Sequence, residues 1–273
     1  MSTTSTRPLA LVSGGSAGIG LELARQLAGH GHDLALSGQS ARVHETAARL
    51  EAEMRTETDP EGTGMRAYPH RGDAGTHEGV ESFWDFVTAL RRPVRVAVLN
   101  VGISLGGAFT DRSLEEHLRL VAVNVTGTVH LAKRVVDHMT GNGAGRILIV
   151  SSVSATTPTP YETVYGPTKA FGFSFAESLR EELKDTGVSV TALLPGATAT
   201  QFHARAGMDN RRFGDNSWKN DPAAVARQGY QALMAGADHV VGGDEATRRE
   251  AELNRTTPEP VKAARFAASA RPD

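Results

Sequence analysis

The sequence predicts an α/β protein, a doubly wound parallel sheet of about seven strands flanked by helices and forming a single domain. Three observations carry that reading. Short apolar runs alternate with stretches of apolar residues at helical spacing from Leu9 to Leu194, the pattern of parallel strands joined by helical crossovers. The first run passes directly into a glycine loop, Ser13-Gly14-Gly15-Ser16-Ala17-Gly18-Ile19-Gly20, and then into a helix pattern. Arg95 to Leu99, RVAVL, is continuously apolar after its first residue, as suits a parallel strand covered on both faces.

Composition narrows the class. The 273 residues are 40% hydrophobic and 22% charged with a net charge of −2, an ordinary balance for a globular chain with a sizeable core. There is no basic excess for nucleic acid and no polybasic patch for a membrane surface, so neither is an expected partner. The absence of cysteine excludes disulfides, thiolate metal sites and a Cys nucleophile. Residues 1–7 are polar and expected to be disordered, and no run approaches the ~18 apolar residues of a membrane span. The expected location is cytoplasmic. The ten histidines are scattered and none forms an HExxH pair, so no metal is expected.

Leu9 to Val12 reads as the first strand, and Ile19, Leu23 and Leu27 form the apolar stripe of a helix ending near Gly29 or Gly31. Between them, Gly14, Gly18 and Gly20 permit a tight turn and close approach of a ligand, while the helix start offers free N–H groups to a pyrophosphate. Asp33 to Ser37 is a second strand, followed by Gly38-Gln39-Ser40 and a polar helix over 41–55. The end of this strand is where an acidic residue would bind the adenosine ribose of NAD(H). With Gly38 and Gln39 there instead, a 2′-phosphate is not repelled and Gln39, Ser40 and Arg42 can meet it, which favours NADP(H) and leaves NAD(H) as the alternative.

Thr56 to Gly64 is a turn-rich connection. A third strand over Met65 to His70 delivers Asp73 to its carboxyl end, where a carboxylate can accept an adenine amino group or simply start the helix over Thr76 to Leu90. The fourth strand ends in Asn100-Val101-Gly102, at the same sheet edge as the glycine loop. A long helix is expected from Leu114 to Met139, with Asn124 among valines near its middle, an amide that must find partners if buried. Gly145 to Val150 is the fifth strand, Val188 to Leu194 the sixth, running into Pro195-Gly196-Ala197-Thr198-Ala199-Thr200, and His239 to Gly243 the last.

The chemistry concentrates between the fifth and sixth strands. Tyr165 and Lys169 lie four residues apart on one helical face, which sets an ammonium beside a phenol. A nearby positive charge favours the ionised phenol and lowers its pKa from about 10. Ser152, at the preceding strand end, can donate to the same substrate oxygen. Pro167 between the pair places the start of that helix close to Tyr165.

Taken together, the SGGSAGIG loop, Asp73, the LNVG end of strand four, Asn124, Ser152, Tyr165 with Lys169, and the PGATAT run resemble the short-chain dehydrogenase/reductase family in its shorter, single-domain branch, over about Leu9 to Thr200. The resemblance implies a Rossmann-type domain over 8–245, with a substrate-covering loop at about 200–220 and a polar tail over 246–273. It implies hydride transfer between a nicotinamide and a carbonyl or secondary alcohol. Tyr165 would be the general acid/base, Lys169 would tune it and bind the nicotinamide ribose, Ser152 would orient the substrate oxygen, and Asn124 would support a relay water. Ser16, Ala17, Ile19, Ala74, Val101, Gly102 and Thr200 join the residues above in the expected cofactor site, with Pro195, Gly196 and Thr198 cradling the nicotinamide amide. Ser154, Tyr161, Gln201 and Phe202 are expected substrate neighbours, Met208, Phe213 and Trp218 further apolar walls, and Arg205, Arg211 and Arg212 candidate contacts for an acidic group. A homodimer through the helices holding Asn124 and Tyr165 is expected, with a tetramer as the alternative. The competing function is a non-catalytic NADP(H)-binding sensor or scaffold, against which the intact Ser152, Tyr165 and Lys169 argue.

Overall fold

A computed structural model describes residues 7–55, 64–208 and 213–271. Residues 1–6 of the N-terminus expected to be disordered over 1–7, residues 56–63 of the turn-rich connection, and Arg211 and Arg212 lie outside the described residues. The strands are β1 (Leu9–Ser13), β2 (Asp33–Gly38), β3 (Ala67–Arg71), β4 (Val94–Leu99), β5 (Gly145–Val150), β6 (Val188–Pro195) and β7 (His239–Gly242). They form one parallel sheet in the order β3-β2-β1-β4-β5-β6-β7. The order reverses between β1 and β4, so the crevice that such a sheet offers to ligands opens at the carboxyl ends of those two strands.

The helices are α1 (Gly18–Gly29), α2 (Arg42–Glu53), α3 (His77–Ala89), α4 (Leu114–Val121), α5 (Gly127–Gly141), α6 (Tyr165–Leu183), the single turn α7 (Phe202–Arg205), α8 (Pro222–Ala235), α9 (Glu245–Asn254) and α10 (Glu259–Ala270). Strand side chains alternate between two cores. Ala10 and Val12 of β1 pack with Leu23 and Leu27 of α1, Leu50 of α2 and Leu233 of α8 on one face. Leu9 and Leu11 pack with Phe83 of α3, Val135 and Met139 of α5 and Ala176 of α6 on the other. Each fully buried Leu, Ile or Val contributes roughly 1.5–3 kcal/mol, and both layers press on the sheet that positions the loops above it. Among the described residues no helix is long and apolar enough to cross a membrane.

A buried ion pair closes the opposite edge of β2. Asp33, fully buried, accepts from the Arg92 Nη1 at 2.7 Å and from the Arg66 backbone N–H at 2.9 Å.

Two elements depart from expectation. The helix predicted continuously from Leu114 to Met139 is divided by a π turn over Ala122–Thr126, in which the Gly127 N–H reaches back to Ala122 C=O. The extra residue brings Gly127 against the Ala74 carbonyl, where any Cβ would stand 1.9 Å from the oxygen, and it turns Asn124 toward the loop after β4. In the polar segment expected as a tail, the described residues form two helices: Asp244 caps α9 by accepting from the Thr247 N–H, and α10 follows behind Pro258. Both helices are anchored to the turn after β5, through Asn254 Nδ2 to Thr156 Oγ1 at 3.0 Å and Lys262 Nζ to Thr156 O at 3.1 Å.

Candidate active site

One cavity of about 1290 Å³ runs along the carboxyl edge of the sheet, from the glycine loop to the C-terminal helices. Its first third is built by the β1–α1 turn. Gly14 and Gly18 adopt φ of +68° and +55°, and a Cβ on Gly20 would lie 2.2 Å from the Gly14 carbonyl, so neither turn nor helix start tolerates a side chain there. Ala17 precedes α1 without any side-chain hydrogen bond to its first turn, which leaves those N–H groups for another acceptor.

Gly14, Ser16, Ala17, Gly18, Ile19, Gly20, Gln39, Asp73, Ala74, Asn100, Val101, Gly102, Pro195, Gly196, Thr198 and Thr200 all line the cavity. Asn100 ties two loops together, its Nδ2 donating to Ser13 O and Gly14 O, both at 3.2 Å. Asp73 is held by Arg119 Nη2 at 2.6 Å and by the Gly75 N–H at 2.9 Å, with Arg119 itself on the cavity wall. Ser40 is the exception: it is exposed and does not line the cavity, because the chain turns into α2 there and presents Arg42, Glu45 and Arg49 instead. Arg42 Nη1 bridges to Gln201 Oε1 at 3.3 Å across the cavity rim.

Ser152, Tyr165 and Lys169 meet on the inner wall. Tyr165 begins α6, as Pro167 two residues on requires, and Lys169 Nζ lies 5.7 Å from its ring centroid. The ammonium donates to Val150 O at 3.1 Å, while Ser151 Oγ donates to the Lys169 carbonyl at 2.7 Å. Ser152 Oγ accepts from the Ser154 N–H at 3.1 Å. Asn124 stands behind this wall rather than on it: its Oδ1 accepts from the Ile103 N–H, and its Nδ2 donates to Ile103 O and to Thr168 Oγ1. The amide therefore clamps the β4 loop to α6.

The electrostatics correct one expectation. The phenol is not lowered in the protein alone: burial pushes Tyr165 above its ordinary range, the Glu162 carboxyl adds to that, and hydrogen bonding by Ser152 only partly opposes it. Burial also pushes the Lys169 ammonium down to about 8. With both groups inside the wall, desolvation is the largest effect on each.

The part of the cavity beyond Tyr165 is lined by Ser154, Gln201, Phe202, Arg205, Phe213 and Trp218, several of them the expected substrate neighbours. Phe202 stands 5.4 Å from the Tyr165 ring, centroid to centroid. Tyr161 and Met208 do not line it. Tyr161 has a φ of +66°, its hydroxyl accepts from Arg271 Nε at 2.9 Å, and it packs with Met208 and Ala270 in a small cluster that also takes in Phe213 and Phe266 of the cavity wall.

Sequence reasoning missed several residues here. Glu162 and Ser104 line the same cavity, and His203 is stacked on Phe213 with its Nδ1 lacking a hydrogen-bond partner among the described residues. Burial, with help from Lys219, holds His203 down to about 4, so its imidazole is neutral. Leu253 and Phe266, from the segment expected to be a tail, complete the outer wall. Away from the cavity, His77, Glu81 and His130 form one group with metal-type donors and Glu177, Asp238 and His239 another, although Arg134 also pairs with Glu81.

Comparison with known proteins agrees with this architecture. A family model described as short chain dehydrogenase matches residues 8–211. A probable oxidoreductase of Mycobacterium tuberculosis, EphD, is 34% identical over 204 residues, 73% of this chain, and the chain spans only 32% of that protein's length. Among solved structures, a short-chain dehydrogenase from Sphingobium yanoikuyae in complex with NADPH is 25% identical with a TM-score of 0.78, covering 92% of this chain and 96% of its own. An alcohol dehydrogenase from Thermococcus sibiricus complexed with 5-hydroxy-NADP is 25% identical with a TM-score of 0.71, covering 86% and 95%.

Proposed function

Because the chain belongs to the short-chain dehydrogenase/reductase family of oxidoreductases, we propose that it interconverts a carbonyl compound and a secondary alcohol with NADP(H) as the preferred coenzyme and Tyr165 as general acid/base. The observation that carries this is the convergence of Ser152, Tyr165 and Lys169 on the wall of the cavity that the glycine loop opens.

The residues fit a nicotinamide dinucleotide. The turn at Gly14 to Gly20 has room for a pyrophosphate only because its glycines lack Cβ atoms, and the uncapped start of α1 offers N–H donors and the positive end of the helix dipole. Arg42 and Arg49 on the wall with Gln39 support a 2′-phosphate, with Glu45 opposing them. Two similar proteins, the Sphingobium and Thermococcus enzymes, carry NADPH and 5-hydroxy-NADP respectively. When bound, the nicotinamide supplies or accepts the hydride.

The chain's own groups do the rest. A phenol kept neutral by burial is in the right form to give its proton to the oxygen that becomes an alkoxide, and Ser152 Oγ donates to the same oxygen. Lys169, on the same face of α6, places an ammonium beside the phenolate that remains. Phe202, Phe213 and Trp218 give that end an apolar wall. The test is oxidation of NADPH, with NADH in parallel, against a panel of ketones, diketones, keto sugars and β-ketoacyl thioesters. Turnover of any one with NADPH ahead of NADH upholds the reading. Silence across the panel with NADPH bound by calorimetry would favour a non-catalytic binding role.

A further inference from the structure

Glu162 is unlike Asp33, the other buried carboxylate among the described residues. Asp33 is sealed by a guanidinium and a backbone N–H. The Glu162 side chain is 3% exposed, its residue lines the cavity, and its hydrogen-bond partner is a single hydroxyl, Ser104 Oγ at 2.5 Å from Oε1. No cation pairs with it among the described residues. An ionised carboxylate offers about four acceptor positions, so one serine leaves most of them turned to the cavity, where a ligand that displaces water without filling them leaves them costly.

The surrounding backbone holds the group there firmly. Tyr161 occupies the left-handed region that bulky residues avoid. It is held by its carbonyl accepting from the Gly107 N–H at 2.9 Å and by its hydroxyl bonded to Arg271. The Glu162 carbonyl accepts from the Tyr165 N–H at 2.9 Å, which ties the carboxyl-bearing residue to the start of the catalytic helix. Ser104 is fixed from the other side, since Asn124 grips both backbone groups of its neighbour Ile103.

Resting on the carbonyl-reductase reading above, we propose that Ser104 and Glu162 form a polar subsite beside Tyr165 that binds a hydrogen-bond-donating substituent, hydroxyl or amino, next to the reacting carbonyl. The subsite selects hydroxy- and aminoketones over plain ketones. It does so because a donor on the substrate fills acceptor positions that a methyl group leaves empty, and an unfilled buried acceptor penalises the wrong substrate.

Hydroxyacetone and butanone test this, as they differ by a hydroxyl in place of a methyl. The ratio of their kcat/KM values is measured with NADPH for the wild type, Glu162→Leu, Glu162→Gln and Ser104→Ala, each checked for a native melting transition. The expectation is at least about a tenfold preference for hydroxyacetone in the wild type, most of it lost in Glu162→Leu, part retained in Glu162→Gln, and a reduced ratio in Ser104→Ala. Aminoacetone in place of hydroxyacetone shows which donor is preferred, either preference over butanone supporting the subsite. A ratio that is the same in the wild type and Glu162→Leu overturns it while leaving the reductase reading intact. If neither ketone turns over, the reductase reading is decided by the wider carbonyl panel above, and saturation-transfer NMR of the same pair on the NADPH-loaded protein decides the subsite alone. Contact with hydroxyacetone that vanishes in Glu162→Leu upholds the subsite, and equal signals from both ketones and both proteins overturn it.

Discussion

Glu162→Gln should stabilise the protein in alkali and leave its stability unchanged in acid. Burial pushes the Glu162 carboxyl from its ordinary 4.5 up to about 7, with the Ser104 hydrogen bond pulling the other way. A carboxyl raised in the folded state costs nothing while both states are protonated, below about 4.5, and its contribution is lost as pH rises through about 7, because the folded chain must then bury a charge. The difference is about 2.5 pH units, and at about 1.36 kcal/mol for each this amounts to about 3 kcal/mol above neutrality. Gln preserves an acceptor for Ser104 and removes the charge. Its stability advantage over the wild type should therefore grow from near zero at about pH 4.5 to about 3 kcal/mol at about pH 8.5, or roughly 6–12 °C in Tm for a chain of this size. Thermal melts of the two proteins in matched buffers read this directly, and taking the difference between them cancels other titrating groups. An advantage that is flat across the range, or that grows toward acid, would mean that the carboxylate is already neutralised in the folded state, and the argument from burial would be wrong.

Tyr165→Phe should lower kcat by at least about a hundredfold, the usual scale of a general acid, while NADPH binding by calorimetry stays close to the wild type; undiminished turnover would remove the tyrosine from the chemistry. Gln39→Asp places a carboxylate at the end of β2 and should shift the NADPH to NADH ratio of kcat/KM toward NADH, and an unchanged ratio would count against reading coenzyme choice at that position. Arg92→Leu strands the Asp33 carboxylate in the core and should destabilise by about 3–5 kcal/mol in urea unfolding, and adding Asp33→Asn should recover part of that loss. A wild-type melting profile for Arg92→Leu alone would show that Asp33 needs no counter-ion.

The sheet was legible because burial of parallel strands writes itself into the chain as continuous apolar runs, and because the glycine loop, LNVG and PGATAT each sit at a strand end, and Tyr165 with Lys169 at a helix start, where local sequence decides geometry. The π turn was less legible. Asn124 among valines, followed by Gly127, marks the place, but the close approach of Gly127 to Ala74 depends on a segment about 50 residues away in the chain. Glu162 was invisible for a stronger reason: a glutamate in PTPYETVY looks like any solvated loop residue, and its hydrogen-bond partner, Ser104, lies 58 positions earlier. The left-handed Tyr161 that turns it inward is a residue type that rarely advertises that conformation.

The C-terminal segment shows why polarity misleads in a wall built from helices. Lys262 is the kind of residue that suggests an open tail, yet it is buried, because its ammonium is spent on the carbonyls of Thr156 and Asn254 and on Glu259. Three donors on a flexible stem can satisfy backbone carbonyls at a turn and at the end of α9, where no intrahelical N–H is available to them. The same side chain thus fastens α9 and α10 over the turn that follows Ser152, and the apolar faces it brings down, Leu253 and Phe266, become cavity wall. A residue chosen to bind carbonyls and one chosen to face water are the same letter in a sequence, and what separates them is the presence of an unpaired turn within reach.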